Sequence, residues 1–200
     1  MFTIYELKPR FQVILRPLAG SLFGLGVTAN SITSLTMIIS VVLGVMLLQA
    51  NTPGLFLLLP FWMLLRMALN ALDGLLAREF GQESAFGAYL NELSDVVSDA
   101  ALYLPFVAVS PFGCGSVAAV IFLSALSEMA GVLAHRVGSP RRYDGPMGKS
   151  DRAFLFGGLG FWLGLAGTLP GWTWWILIAM ALAIILNIIN RVRGGLEQHA

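Results

Sequence analysis

Six apolar stretches, each close to the length of a membrane-spanning helix, constrain the fold of this chain more than any other feature. They cover residues 32–48, 54–72, 87–109, 117–134, 153–169 and 172–189. A helix needs about 20 consecutive apolar residues to cross a bilayer. Because 57% of the residues are hydrophobic and only 12% are charged, the sequence predicts an all-α, polytopic membrane protein with six transmembrane helices.

The N-terminal region, residues 1–25, differs from these stretches. Its charged residues Glu6, Lys8, Arg10 and Arg16 are spread among apolar ones at helical spacing. Such a helix is typical of the membrane interface, and the scattered charges do not fit a cleavable signal peptide. We therefore expect an interfacial helix that leads into the first span.

The distribution of Lys and Arg predicts the orientation. The connections 49–53, 110–116 and 168–171 contain neither residue type, whereas both terminal regions and the alternate connections contain several. Positive residues are retained on the cytoplasmic side. We expect a multi-pass protein of a bacterial-type inner membrane, with both termini and the connection between the second and third spans in the cytoplasm.

Charged residues are concentrated in residues 66–99 and extend into the second and third spans. Inside a span, a membrane protein is normally poorest in charge. At 100° per residue, Arg66, Asn70 and Asp73 share one helix face, and Asn91, Glu92, Asp95 and Asp99 share a face of the next helix. The short connection makes the two helices antiparallel neighbours, so the two polar faces can meet. Facing carboxylates repel unless a cation or proton lies between them, which leaves a Mg²⁺ or Mn²⁺ site and a proton-carrying pair of a transporter as alternatives.

The same residues carry a resemblance to the CDP-alcohol phosphatidyltransferases. The family pattern is Asp, two residues, Asp-Gly, two residues, Ala-Arg, eight residues, Gly, three residues, Asp, three residues, Asp. This sequence matches it with Asp73-Gly74, Ala77-Arg78, Gly87 and Asp95, but has Asn70 and Asn91 at the first and third Asp positions. The resemblance implies one domain of this type over residues 1–200, which transfers a phosphatidyl group from CDP-diacylglycerol to an alcohol and releases CMP in phospholipid biosynthesis.

The resemblance also implies roles for individual residues. Asp95 would be the general base, and Mg²⁺ or Mn²⁺ would be held by Asn70, Asp73, Asn91 and Asp95, with Glu92 and Asp99 as substitutes for the lost charge. The nucleotide pocket would be shaped by Gly74, Ala77, Arg78 and Gly87. Asn ligates a metal through its carbonyl oxygen, but each Asp-to-Asn change removes one negative charge. Metal binding should therefore be weaker and more dependent on the substrate phosphates.

A second concentration of charge lies at residues 138–152. Its cations, Arg141, Arg142, Lys149 and Arg152, suit a phosphorylated acceptor such as glycerol 3-phosphate, because Arg binds phosphate in a bidentate manner and Lys as a point charge. An inositol phosphate or serine stays open as the acceptor. Retention of positive charge in the cytoplasm and attraction to anionic membrane lipids explain the same cations without a substrate.

Several further polar residues have two interpretations. Arg66 in an apolar run requires an acidic partner. Glu128 is either a functional acid or a structural residue that pairs with Arg66 or forms a hydrogen bond between helices. Asn30 or Ser31 fits a helix N-cap, although the resemblance places Asn30 and Thr33 near the nucleotide pocket.

Three functions remain open at this stage. The first is the transferase, the second is a degenerate homologue that binds CDP-lipid without turnover, and the third is an ion-coupled transporter. The single Cys114 and the lack of a Cys/His cluster do not support zinc or redox chemistry. We expect no nucleic-acid partner, and a homodimer is compatible with the sequence.

Overall fold

A computed structural model describes the backbone of residues 4–197 and the side chains of residues 13–197. The expected interfacial charges Glu6, Lys8 and Arg10, and the chain ends 1–3 and 198–200, lie outside the part described at that level. The described residues form seven α-helices and no β-strand, in agreement with the predicted all-α class. The helices are α1 (Ile4–Gly24), α2 (Ala29–Leu48), α3 (Leu58–Glu79), α4 (Ala85–Tyr103), α5 (Cys114–Leu133), α6 (Lys149–Ala166) and α7 (Trp174–Glu197).

Four helical segments of the described chain are long and apolar enough to cross a membrane. They are Ala29–Leu48, Pro53–Glu79, Cys114–Val137 and Gly171–Glu197. The structure therefore confirms four of the six predicted spans by length and composition. The predicted third and fifth spans do form helices, α4 and α6, but α4 carries acidic residues along its length and α6 begins with three charged residues.

The first span begins earlier than the sequence suggested, and its cap is a different residue. Thr28 is the N-cap of α2: its hydroxyl accepts a hydrogen bond from the backbone N–H of Ser31, and the Ser31 hydroxyl accepts one from the Thr28 N–H. This reciprocal arrangement satisfies two of the free donors at the helix start. The expectation that Asn30 or Ser31 is the cap was therefore wrong by two or three residues.

Close contact between helices depends on two glycines. A Cβ atom at Gly44 of α2 would clash with the backbone carbonyl of Ala101, so the backbones of α2 and α4 are in close contact there. A Cβ atom at Gly164 of α6 would lie 2.6 Å from Leu57, the residue directly before α3. Only glycine permits such approaches. These contacts fix α4 against α2 and α6 against α3.

Two apolar clusters hold the helices together. The larger one contains a buried aromatic group in which Tyr103 stacks on Phe156 at a centroid distance of 3.9 Å and Phe106 packs against Phe156 at 5.2 Å. The smaller one joins α1 to α2 and α3 through residues such as Leu15 and Leu76. The start of α2 and the charged side chains of α3 to α7 meet in a single polar region, described below.

Candidate active site

The polar region forms where α2 begins, α3 ends and α4 begins. The backbone N–H of Ala29, at the start of α2, donates to the side-chain oxygen of Gln82 in the α3–α4 connection at 2.7 Å. Asp73 of α3 is buried and accepts a hydrogen bond of 2.8 Å from the Thr33 hydroxyl of α2. Asp73 also lies close enough to Asp95 of α4 for the two carboxylates to repel each other. The polar faces of α3 and α4 thus meet as the helical spacing predicted.

The closest polar contacts of the Asp95 side chain are on one oxygen. Oδ1 contacts the Asn70 amide nitrogen at 3.1 Å, the Arg66 guanidinium at 3.4 Å and the ammonium group of Lys149. The other oxygen, Oδ2, makes no hydrogen bond with any residue of the described chain. The side chain is 15% exposed. One carboxylate oxygen is therefore fixed by positive and polar partners, while the second is left available.

Asp99, one turn further along α4, is bound on both oxygens. Oδ1 accepts from Arg66 at 2.5 Å and Oδ2 accepts from Arg152 at 3.2 Å. All three side chains are buried. The acidic partner that Arg66 required is thus Asp99, with Asp95 as a second one. The substitution of Asp99 for a lost metal ligand stays a prediction, but these arginines support a structural role instead.

Glu128 of α5 is the centre of a second group of ion pairs. It contacts Arg152 at 2.9 Å, Arg141 at 3.3 Å and Arg191 at 3.5 Å. It does not pair with Arg66, which was one of its two expected roles. Arg191 also donates to the backbone carbonyl of Ser127 at 2.6 Å. The end of α7 is thereby attached to α5, a contact that the sequence analysis did not identify.

Arg141 joins the two groups. Its guanidinium contacts the carboxylate of Glu92 on α4 and that of Glu128 on α5, and it lies 4.9 Å from the ring centre of Tyr143. Burial lowers the pKa of Arg141 from its ordinary value, and the neighbouring Arg191 lowers it slightly further. Because an arginine pKa starts above 12, the guanidinium stays charged at neutral pH.

The predicted phosphate-binding cations are therefore in different environments. Lys149 and Arg141 lie beside the acids of α4 and are 28% and 19% exposed. Arg152 is fully buried. Arg142 pairs with its near neighbour Asp144 at 2.6 Å and packs against Gly194 at the end of α7. The structure brings only the first two of these cations to Asp95 and Glu92.

The predicted nucleotide residues lie at the end of α3 and the start of α4. The guanidinium of Arg78 packs over Gly74, where a Cβ atom would lie 3.0 Å from it, and Ala77 is half-buried nearby. The Asn30 amide oxygen lies against Gly87, where a Cβ atom would lie 2.8 Å from it. Both glycines thus leave room for a neighbouring polar group.

The oxygen atoms around Asp73 and Asp95 suit a hard divalent cation. Asp73 and Asp95 supply carboxylates, and Asn70, whose amide nitrogen donates to Asp95, retains its carbonyl oxygen. Asn91 is half-buried, and its side chain makes no hydrogen bond within the described chain. No group of three His, Cys, Asp or Glu residues suited to a metal occurs among the described residues. Carboxylate and amide oxygens fit Mg²⁺ or Mn²⁺, but two carboxylates bind such an ion less tightly than four.

A cleft of about 390 Å³ lies at the opposite ends of the helices. It is lined by residues such as Leu47, Phe56 and Leu169, and it contains none of the ionised side chains described above. The chemistry of the polar region does not extend into it.

Comparison with known proteins gives a consistent result. The family model for CDP-alcohol phosphatidyltransferase matches residues 26–189. The chain is 46% identical over 202 residues to inner membrane protein YnbA of Escherichia coli (strain K12). The alignment covers 99% of this chain and 98% of that protein.

Two solved structures have a similar fold. One is Mycobacterium tuberculosis phosphatidylinositol phosphate synthase (PgsA1) with CDP-DAG bound, with a TM-score of 0.72, 22% identity, and coverage of 90% of this chain and 92% of that one. The other is the same enzyme in complex with manganese and citrate, with a TM-score of 0.70, 21% identity, and coverage of 90% and 87%.

Proposed function

This chain belongs to the CDP-alcohol phosphatidyltransferase family, and from this premise we propose that it transfers a phosphatidyl group from CDP-diacylglycerol to a polar alcohol and releases CMP. The observation that carries the proposal is the state of Asp95. Its Oδ1 is fixed by Asn70, Arg66 and Lys149, while its Oδ2 has no hydrogen-bond partner among the described residues. A fixed carboxylate with one available oxygen is suited to accept the proton of an alcohol.

In this proposal Asp95 is the general base. Deprotonation of the acceptor hydroxyl at Oδ2 lets the alkoxide oxygen attack the phosphorus that carries the diacylglycerol, and the bond to CMP breaks. The cations Arg66 and Lys149 both contact Oδ1. They also hold the carboxylate in one orientation, which favours a productive approach of the hydroxyl.

Mg²⁺ or Mn²⁺ would be held by Asp73, Asp95 and the amide oxygens of Asn70 and Asn91. When bound there, a divalent cation would polarise the phosphorus and stabilise the charge on the leaving CMP. The hydrogen bond from Thr33 keeps one Asp73 oxygen oriented and so presents the other. Glu92, which is bound to Arg141, is a less suitable ligand than these four.

The substrates would enter from two sides of this centre. Gly74, Ala77, Arg78 and Gly87 would shape the nucleotide side, where an exposed guanidinium is available to phosphate. Lys149 and Arg141 would face the acceptor. Arg152, which is fully buried between Asp99 and Glu128, would position the acids, and Arg142 would act through the end of α7.

We further propose that α4 and α6 cross the membrane with the four apolar helices, which gives six spans in one domain over residues 1–200. The acids Glu92, Asp95 and Asp99 of α4 and the cations Lys149 and Arg152 of α6 are held in ion pairs, so they need not face lipid. The site would lie at the cytoplasmic face of a bacterial inner membrane, with both termini on that side and α1 in the interface. A homodimer is compatible with this arrangement.

The decisive experiment is an assay of the purified protein with CDP-diacylglycerol, a panel of alcohols, and Mg²⁺ or Mn²⁺. Release of CMP together with a new phospholipid supports the proposal. Binding of CDP-diacylglycerol without release of CMP in the presence of any acceptor would instead support a degenerate homologue that only binds CDP-lipid. The two Asn residues favour this alternative.

A further inference from the structure

The cations expected to bind an acceptor phosphate are already paired with acids of this chain. Arg141 contacts Glu92 and Glu128, and Lys149 contacts Asp95. Arg152 contacts Asp99 and Glu128, and Arg142 contacts Asp144. A positive surface that recognises phosphate needs cations whose charge is not already compensated.

Apart from Arg78 on the proposed nucleotide side, the polar region is electrically balanced. Its cations are Arg66, Arg141, Lys149, Arg152 and Arg191, and its acids are Asp73, Glu92, Asp95, Asp99 and Glu128. The two sets are equal in number, so the protein contributes no net positive charge there. The charge of a divalent ion would be taken up by the diphosphate of the CDP-lipid. An acceptor phosphate, which carries a charge of about −1.5 to −2 at pH 7, would have no counter-charge left.

From this balance, and resting on the proposed function, we infer that the acceptor is an alcohol without net negative charge, and that Glu92 excludes phosphorylated alcohols. The class includes uncharged polyols and zwitterionic amino alcohols. This inference departs from the glycerol 3-phosphate suggested by the number of cations in the sequence.

Glu92 is the acid best placed to discriminate. It lies three residues before Asp95 on α4, and therefore on nearly the same helix face as the proposed base. Its side chain is 28% exposed, whereas that of Glu128 is 9% exposed. A substrate entering beside Asp95 would meet Glu92 first, and Arg141 is attached to it from the other side.

A phosphate that approaches Arg141 would compete with Glu92 for the guanidinium and displace its carboxylate. The displaced carboxylate would then lie beside the phosphate, on the same helix as Asp95. Like charges at such short range are strongly unfavourable, and a built-in repulsive group is an established way to reject a wrong ligand. A hydroxyl group, in contrast, can donate to Glu92 without disrupting its pairing with Arg141.

The test compares matched acceptors on the wild-type protein with CDP-diacylglycerol and Mn²⁺. The pairs are glycerol and glycerol 3-phosphate, and inositol and inositol 1-phosphate; serine is assayed alone, because phosphoserine has no free hydroxyl to accept the phosphatidyl group. We expect that in the pair that supports transfer, the unphosphorylated member has a kcat/KM at least about tenfold higher. Preference for a phosphorylated member overturns this inference and leaves the proposed function intact. If CMP is not released from CDP-diacylglycerol with any of the acceptors, the proposed function is overturned, and this inference with it.

Glu92→Gln tests the assigned residue with a nearly isosteric change. Removing one close negative charge should raise the ratio of kcat/KM for the phosphorylated over the unphosphorylated acceptor by at least about tenfold. Glu197→Gln removes an exposed acid at the end of α7 and should leave that ratio unchanged. A ratio that does not respond to Glu92→Gln overturns the assignment to Glu92. The wild-type comparison tests the acceptor class even if this variant does not fold.

Discussion

Replacing Asp95 with Asn separates a chemical role from a structural one. The change is nearly isosteric and retains an oxygen that accepts from Asn70, but it removes the basic group. A positioned base contributes about 10²–10⁴-fold to rate, which corresponds to about 3–5 kcal/mol of activation free energy. We expect Asp95→Asn to lose at least about 99% of transfer activity.

The structural cost of the same change should be small. Arg66 keeps its shorter contact with Asp99, and Lys149 is 28% exposed and can be hydrated. We expect a loss of about 1 kcal/mol in unfolding free energy, the typical net value of one hydrogen bond. The apparent melting temperature of the purified protein should therefore stay within a few degrees of wild type.

Asp99→Asn is the matched control for this experiment. It makes the same chemical change one turn along α4, where the carboxylate lies between two buried arginines. Breaking a buried ion pair costs about 3–5 kcal/mol, so this variant should melt at a clearly lower temperature than Asp95→Asn. More than about a tenth of wild-type activity in Asp95→Asn would refute its role as the base, and an equal loss of stability in both variants would refute the division of roles.

Two further predictions concern the acceptor and the metal. Lys149→Ala should raise the KM for the acceptor more than the KM for the CDP-lipid, because Lys149 lies beside Asp95. Arg142→Ala should change both KM values less, because Arg142 pairs with Asp144. Equal effects of Lys149→Ala on both substrates in steady-state kinetics would indicate that Lys149 only attracts lipid headgroups. The double variant Asn70→Asp/Asn91→Asp should bind Mn²⁺ more tightly, because it adds two negative charges to the ligand set. Its activity should therefore saturate at a lower Mn²⁺ concentration than that of the wild type. An unchanged or weaker apparent affinity for Mn²⁺ would contradict the assignment of both Asn residues as neutral ligands.

Much of the arrangement around the site could be predicted because it is local. Asn70 and Asp73 lie three residues apart on α3, and Asn91 and Asp95 four apart on α4, so the helical period alone puts each pair on one face. The short connection made the two helices neighbours, and the contact between Asn70 and Asp95 follows.

The choice of partners could not be predicted in the same way. Arg66 had acidic residues available on two other helices, and it pairs with Asp99 rather than Glu128. Thr33 binds Asp73 across 40 residues of sequence. Each of these choices depends on the relative depth and rotation of two helices, which are decided by side-chain packing along their whole length. Charged residues inside apolar runs signalled that partners must exist, but not which ones.

By itself, the sequence determined that the chain is helical and rich in membrane-spanning segments, because apolar length and helical period are properties of consecutive residues. It also determined the family, through a pattern confined to residues 70–95 of the chain. Only the tertiary structure decided that Arg141 is held by Glu92 and Glu128, and that Lys149 lies on Asp95. The number of cations near a site can be read from the sequence. Their effective charge depends on which acids the packing of the helices brings within contact distance.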